Sequence, residues 1–130
     1  MPENKLVIPT DILYTQNVYI NAERRKNFYV ASKMKKEATN ATKMFIVSQM
    51  ADGVSFVYPA RLRFVWYMDN YRKDLDNVSS AGRKIILDGA QQAEYNGKIF
   101  LPNDSHRYLI EFNDIYELDK DHPRVEITQY

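Results

Sequence analysis

The stretch Arg61-Leu62-Arg63-Phe64-Val65-Trp66-Tyr67-Met68 decides the fold. Large apolar side chains recur at every second position, Leu62, Phe64, Trp66 and Met68, while Arg61, Arg63, Val65 and Tyr67 fill the alternate set. Successive side chains of an extended chain point to opposite faces, so this alternation predicts a strand with one face in a core. The β reading extends back to Val54. A polar run over residues 69–77 follows, and then the period changes. Over residues 78–93, Val78, Gly82, Ile85, Gly89 and Ala93 share one side at about 100° per residue, which predicts a helix. Its two glycines invite close approach by another backbone. Asn77, Ser79 and Ser80 are candidate N-caps.

Upstream, residues 26–50 contain neither Gly nor Pro. Ala31, Met34, Ala38, Ala41 and Phe45 fall on one narrow helical stripe, with Lys26, Lys33, Lys36 and Lys43 on the opposite side. This predicts an amphipathic helix, stopped at Gly53. Residues 5–8, ahead of Pro9, read as a first strand, and residues 11–21 as a loop or short strand. Downstream, Asn96-Gly97 marks a turn. Residues 107–119 read as a strand, Lys120-Asp121-His122-Pro123 as a turn, and Arg124–Gln129 as a final strand. The order β, α, β, α, β, β predicts an α/β domain, with α+β as the alternative: one mixed sheet and two main helices.

With 130 residues the chain has room for a single domain. It has no cysteine, which excludes disulfides, thiolate nucleophiles and cysteine-ligated zinc. Two histidines, His106 and His122, do not make a histidine metal site. No run of signal-peptide or membrane-span character stands out, so the expected location is the cytoplasm. The net charge of +1 conceals an asymmetry: residues 1–84 carry 14 Lys and Arg against 8 Asp and Glu, and residues 85–130 carry 4 against 9. A basic front half suits a polyanionic partner, and equally a solvated surface.

The sharpest chemical signal is Asp74-Leu75-Asp76. In extended chain, residues i and i+2 point the same way, so two carboxylates ahead of a helix could hold Mg²⁺, with Mn²⁺ able to substitute. Arg72, Lys73, Arg83 and Lys84 flank them and could hold a phosphate. The plainer reading is a capped, solvated loop. Asp104, in Pro102-Asn103-Asp104-Ser105, is a further carboxylate in a turn-like setting. Lys84 and Asp88 read either as a surface pair or as a lysine aimed at a scissile phosphate.

Five blocks, in order, resemble the RusA family of Holliday junction resolvases, especially members carried by phages and prophages of Gram-positive bacteria. They are Asn17-Val18-Tyr19-Ile20-Asn21-Ala22-Glu23-Arg24, Arg72-Lys73-Asp74-Leu75-Asp76-Asn77, Lys84-Ile85-Ile86-Leu87-Asp88-Gly89, Pro102-Asn103-Asp104-Ser105 and Pro123-Arg124-Val125-Glu126-Ile127. The resemblance implies a homodimeric, metal-dependent endonuclease that resolves four-way DNA junctions in recombination and repair. It implies Asp74, Asp76 and Asp104 as metal ligands and catalytic residues. The family's catalytic lysine, four residues after the second aspartate, falls here on Ser80, and Lys84 is the nearest lysine on that stripe. Asn17, Arg24, Arg25, Lys33, Lys36, Lys43, Arg72 and Lys73 are the expected DNA contacts, mostly to phosphates. The competing expectations are a non-catalytic protein that binds DNA junctions or single strands, and an interaction module for a phage protein.

Overall fold

The computed structural model of the chain describes residues 4–13, 28–71 and 75–130, and of residues 28–30, 76 and 77 the backbone only. Strand β1, Lys5–Pro9, leads through a 3-10 turn at Thr10–Ile12. Helix α1 spans Phe28–Ala51, strand β2 Ala60–Met68 and helix α2 Leu75–Gln92. A small hairpin, β3 (Glu94–Tyr95) and β4 (Lys98–Ile99), precedes the long strand β5, Leu109–Leu118, and the last strand, β6, Arg124–Gln129. The main sheet has the order β1-β6-β2-β5. Strand β6 runs antiparallel to both neighbours, and β5 runs parallel to β2. Parallel neighbours need a crossover, and α2 supplies it. This is the mixed-sheet, two-helix α/β domain expected.

The alternation in β2 becomes burial. Leu62, Phe64, Trp66 and Met68 are buried, together with Leu6 and Ile8 of β1 and Val125 and Ile127 of β6. Ile46 of α1 and Ile86 and Ala90 of α2 close the core from one side of the sheet. The outer side carries charge in pairs: Lys5 to Glu126 at 2.9 Å, and Arg124 to Glu126 and Asp119 at 2.8 Å each. The Arg124 guanidinium also lies 3.9 Å from the centre of the Tyr67 ring. Trp66 is the pivot of the core. It stacks on Phe64 with centroids 5.8 Å apart, donates Nε1–H to Asp114 Oδ1 at 3.0 Å, and fills the space left by the missing side chain of Gly82.

Several local expectations shift. The β reading of residues 54–59 is not met: this stretch is irregular, and the strand begins at Ala60. Pro59 has no N–H to give a ladder. The buried stripe of α1 is Ala31, Ala38, Thr42 and Ile46, while Phe45 is exposed. It is rotated from the predicted stripe by less than one residue's step of about 100°. The rotation brings small residues toward α2: Thr42 lies where a methyl group on Gly89 would sit 3.0 Å from its Cγ2. Helix α2 begins at Leu75, three residues earlier than expected, so Asn77, Ser79 and Ser80 lie inside it and do not cap it. The Ser79 hydroxyl instead donates to the Leu75 carbonyl at 3.1 Å.

The predicted stops hold. Gly53 takes φ +98° and donates to the Met50 carbonyl at 3.0 Å, which ends α1. Asn96 and Gly97 both have positive φ, as a two-residue hairpin turn requires.

Candidate functional site

Asn17, Arg24, Arg25, Arg72, Lys73 and Asp74 lie outside the described residues. The backbone of Asp76 is helical, in the first turn of α2. This corrects the extended-chain premise at that position. The turn stands just beyond the end of β2 at Met68, the central strand of the sheet.

Asp104 is exposed in the loop between β4 and β5, beside a tight turn in which Asn103 Oδ1 accepts the Ser105 N–H at 2.7 Å. Backbone hydrogen bonds pin this loop to the far end of α2. Phe100 N–H donates to the Ala93 carbonyl at 2.9 Å and Leu101 N–H to the Ala90 carbonyl at 3.1 Å. On the other side, Leu109 N–H donates to the Ser105 carbonyl at 3.0 Å, and Ala60 N–H donates to the Tyr108 carbonyl at 2.8 Å. Asp104 therefore sits by the start of β2 and the end of α2. From Asp76 to Ala90 is about 21 Å at 1.5 Å per helical residue. Asp104 and the helix start that carries Asp76 therefore stand at opposite ends of α2 within one chain, against the expected convergence on one ion. Among the described residues no group of three or more His, Asp or Glu gathers as a metal site.

Lys84 is exposed, and its Nζ lies 3.3 Å from Asp88 Oδ1, one turn toward the C-terminal end of the helix. Of the two sequence readings, the surface pair is the one formed, and the ammonium points away from the first turn of α2. Arg83, expected to hold a phosphate, is committed elsewhere. It forms an ion pair with Asp114 of β5, and its guanidinium lies 4.8 Å from the Phe112 ring centre and 5.3 Å from that of Phe64. Asp114, 31 residues along the chain from Arg83, thus ties Arg83 and Trp66 together. Nothing local in the sequence marks that link.

The lysines of α1 were expected on its solvent side, and Lys26 lies outside the described residues. Lys33 and Lys36 are exposed, and Lys43 is half-buried. With Ser32, Lys35, Glu37, Thr39 and Asn40, and with Asp88 and Gln92 of α2, Lys33 and Lys36 line an open groove of about 900 Å³. The pair Lys33–Glu37 spans 3.7 Å, so the groove keeps cationic excess on the α1 side. Lys35, Asn40 and Gln92 were not singled out from the sequence, because their convergence depends on how α1 crosses α2.

Of the groups elsewhere with displaced acidities, three bear on the sheet. Burial pushes the Tyr58 phenol far up, and its hydroxyl donates to the Phe100 carbonyl at 2.6 Å. A hydrogen bond from Arg124 holds the half-buried Asp119 carboxyl below the usual range. Burial pushes Glu126 up, but hydrogen bonds from Lys5 and Arg124 outweigh it and leave its carboxyl below the ordinary value. All three belong to the sheet and its rim, away from the groove; Asp119, whose N–H donates to the Met68 carbonyl at 2.7 Å, lies at the carboxyl end of β2.

No family model matches the chain, and no curated protein is significantly similar to it. No helix among the described residues is long and apolar enough to cross a membrane.

Proposed function

We propose that this chain is a metal-dependent, structure-selective endodeoxyribonuclease that resolves four-way DNA junctions, working in the cytoplasm as a homodimer. One observation carries the reading: Asp76 of the Asp74-Leu75-Asp76 motif opens α2 beyond the end of β2, where the parallel pair β2–β5 has its carboxyl ends. Ligands of sheets with parallel strands bind beyond those ends, and a helix start favours phosphate. The groove carrying Lys33, Lys35 and Lys36 supports a polyanionic partner met through its backbone.

A bound Mg²⁺ would supply polarisation of the scissile phosphate and a hydroxide near neutral pH. Within a single copy Asp104 is at the other end of α2 from the helix start that carries Asp76. A two-fold dimer is needed in any case to cut a junction symmetrically. In this reading it also brings Asp104 of one copy to the motif of the other.

A labelled four-way junction titrated with Mg²⁺ tests the reading. The wild-type chain should cut, and Asp76→Asn should keep junction binding while losing cleavage, since it removes a ligand and a negative charge near phosphate. Equal cleavage by Asp76→Asn would remove Asp76 from the chemistry. The pairing of Lys84 with Asp88 at 3.3 Å favours a second reading, a non-catalytic junction-binding or single-strand-binding protein. Binding without cleavage at every metal concentration would establish it.

A further inference from the structure

Among the described residues the sheet has two edges, and they are built differently. Strand β1 is five residues long and carries Lys5 and Pro9 at its ends, the usual devices that keep an edge from pairing. Strand β5 is ten residues long, has no Lys, Arg or Pro, and among the described residues pairs only with β2. Ile110, Phe112, Ile115 and Leu118 are each more than a third exposed along it. Phe112 and Leu118 face the helix side, opposite the buried Leu62 and Met68, so the helical layer covers β2 and stops short of the edge.

We propose that β5 pairs antiparallel with β5 of a second copy of this chain, about a two-fold axis at Ile115. The occupant is read from the strand's own residues. Facing residues in such a pair lie on the same side of the sheet, so only registers centred on a residue are possible. Centring on Asp114 sets that carboxylate against itself and Glu111 against Glu117. Centring on Asn113 sets Phe112 against Asp114, and centring on Tyr116 sets Ile115 against Glu117 and Leu118 against Asp114. Centring on Ile115 sets Ile115 against Ile115, Phe112 against Leu118, Asp114 against Tyr116 and Asn113 against Glu117. Apolar then meets apolar at Ile115 and at Phe112 with Leu118, and no two carboxylates face each other between them. The one acidic pair, Glu111 facing Asp119 at the ends, is answered within each copy by Arg61 at 3.7 Å and Arg124 at 2.8 Å.

The helices leave room for this pairing. Gly82 of α2 sits over Trp66 of β2. Across the joined sheet, β2 and its counterpart are three strand spacings apart, about 14 Å, against about 8–10 Å for packed helices. The channel between the two α2 helices takes Phe112 and Leu118 from both copies, with each Arg83 stacked at its wall. The pairing follows from the sheet alone and holds whether or not the chain cuts DNA.

Sedimentation of the full chain should show a dimer. Ile115→Lys sets two ammonium groups against each other at the axis, and should raise the dimer dissociation constant at least about tenfold with an unchanged circular dichroism spectrum. The chain has no cysteine, so Ile115→Cys introduces a single thiol that should link two copies on mild oxidation. Asn113→Cys should not link, because its counterpart lies four residues along the strand, roughly 13 Å away. If Ile115→Lys fails to fold, the two cysteine variants decide. A monomeric wild-type chain, a dimer that survives Ile115→Lys, or linking of Asn113→Cys as readily as Ile115→Cys would overturn the proposal.

Discussion

Gly82→Ala should destabilise this protein, although it replaces a helical glycine by the best helix former. A methyl group on Gly82 would lie 2.8 Å from both Cη2 and Cζ3 of Trp66. Carbon atoms in contact prefer about 3.5–4.0 Å, so the indole would have to retreat by roughly 1 Å. It has nowhere to go. Trp66 is fully buried, stacked on Phe64, and held by its hydrogen bond to Asp114 at 3.0 Å. Overpacking of this kind costs about 1–3 kcal/mol, and disturbing the indole hydrogen bond adds about 1 kcal/mol. The gain in helix propensity, about 1 kcal/mol, offsets part of it. The net loss is about 1–3 kcal/mol, or a Tm lower by roughly 3–10 °C for a domain of this size. Urea unfolding at constant slope measures it. The cycle with Trp66→Phe sharpens the test, because phenylalanine lacks the outer indole atoms that clash. In that background Gly82→Ala should be neutral or stabilising. Equal or greater stability of Gly82→Ala beside an intact Trp66 would refute the packing account.

Three further outcomes are expected. Thr42 is fully buried, and its hydroxyl has no hydrogen-bond partner among the described residues; Thr42→Val keeps the shape, removes the stranded polar group, and should raise the urea midpoint by an amount worth about 1 kcal/mol. Glu126 has a folded pKa below its ordinary value, so the stability it contributes is fully present above that value and is lost as pH falls through the folded one. Comparing urea midpoints near neutral pH and in acid below the ordinary glutamate range, the wild type should lose more stability than Glu126→Gln. Lys84→Ala breaks only the pair between the exposed Lys84 and the half-buried Asp88, and should change stability by less than about 1 kcal/mol and leave junction cleavage unaltered. A selective loss of cleavage in Lys84→Ala, with binding retained, would return that lysine to the chemistry.

The sequence by itself determined the elements and the face that β2 buries. Alternation over residues 61–68, the helical period over residues 78–93, Gly53 and Asn96-Gly97 are local signals, carried within a few residues by backbone geometry, and each appears where it was read. Polar small residues misled the reading of α1: Thr42 looks solvated in sequence, yet its size is what lets α1 meet Gly89 of α2, and Phe45 turns outward as a result. The candidate site depended on contacts between distant segments. The family resemblance implied three aspartates together, but β2, α2 and β5 form a crossover, and a crossover carries the chain from one end of the sheet to the other before the next parallel strand begins. That is why Asp104 lies a helix length from Asp76, and why Arg83 serves Asp114 rather than a phosphate. Strand order is equally non-local. Nothing within residues 109–118 states that β5 is an edge; its pairing, among the described residues, with β2 alone leaves Phe112, Ile115 and Leu118 at the rim, because a hydrophobic pattern specifies a buried face and cannot specify how many neighbours the strand will have.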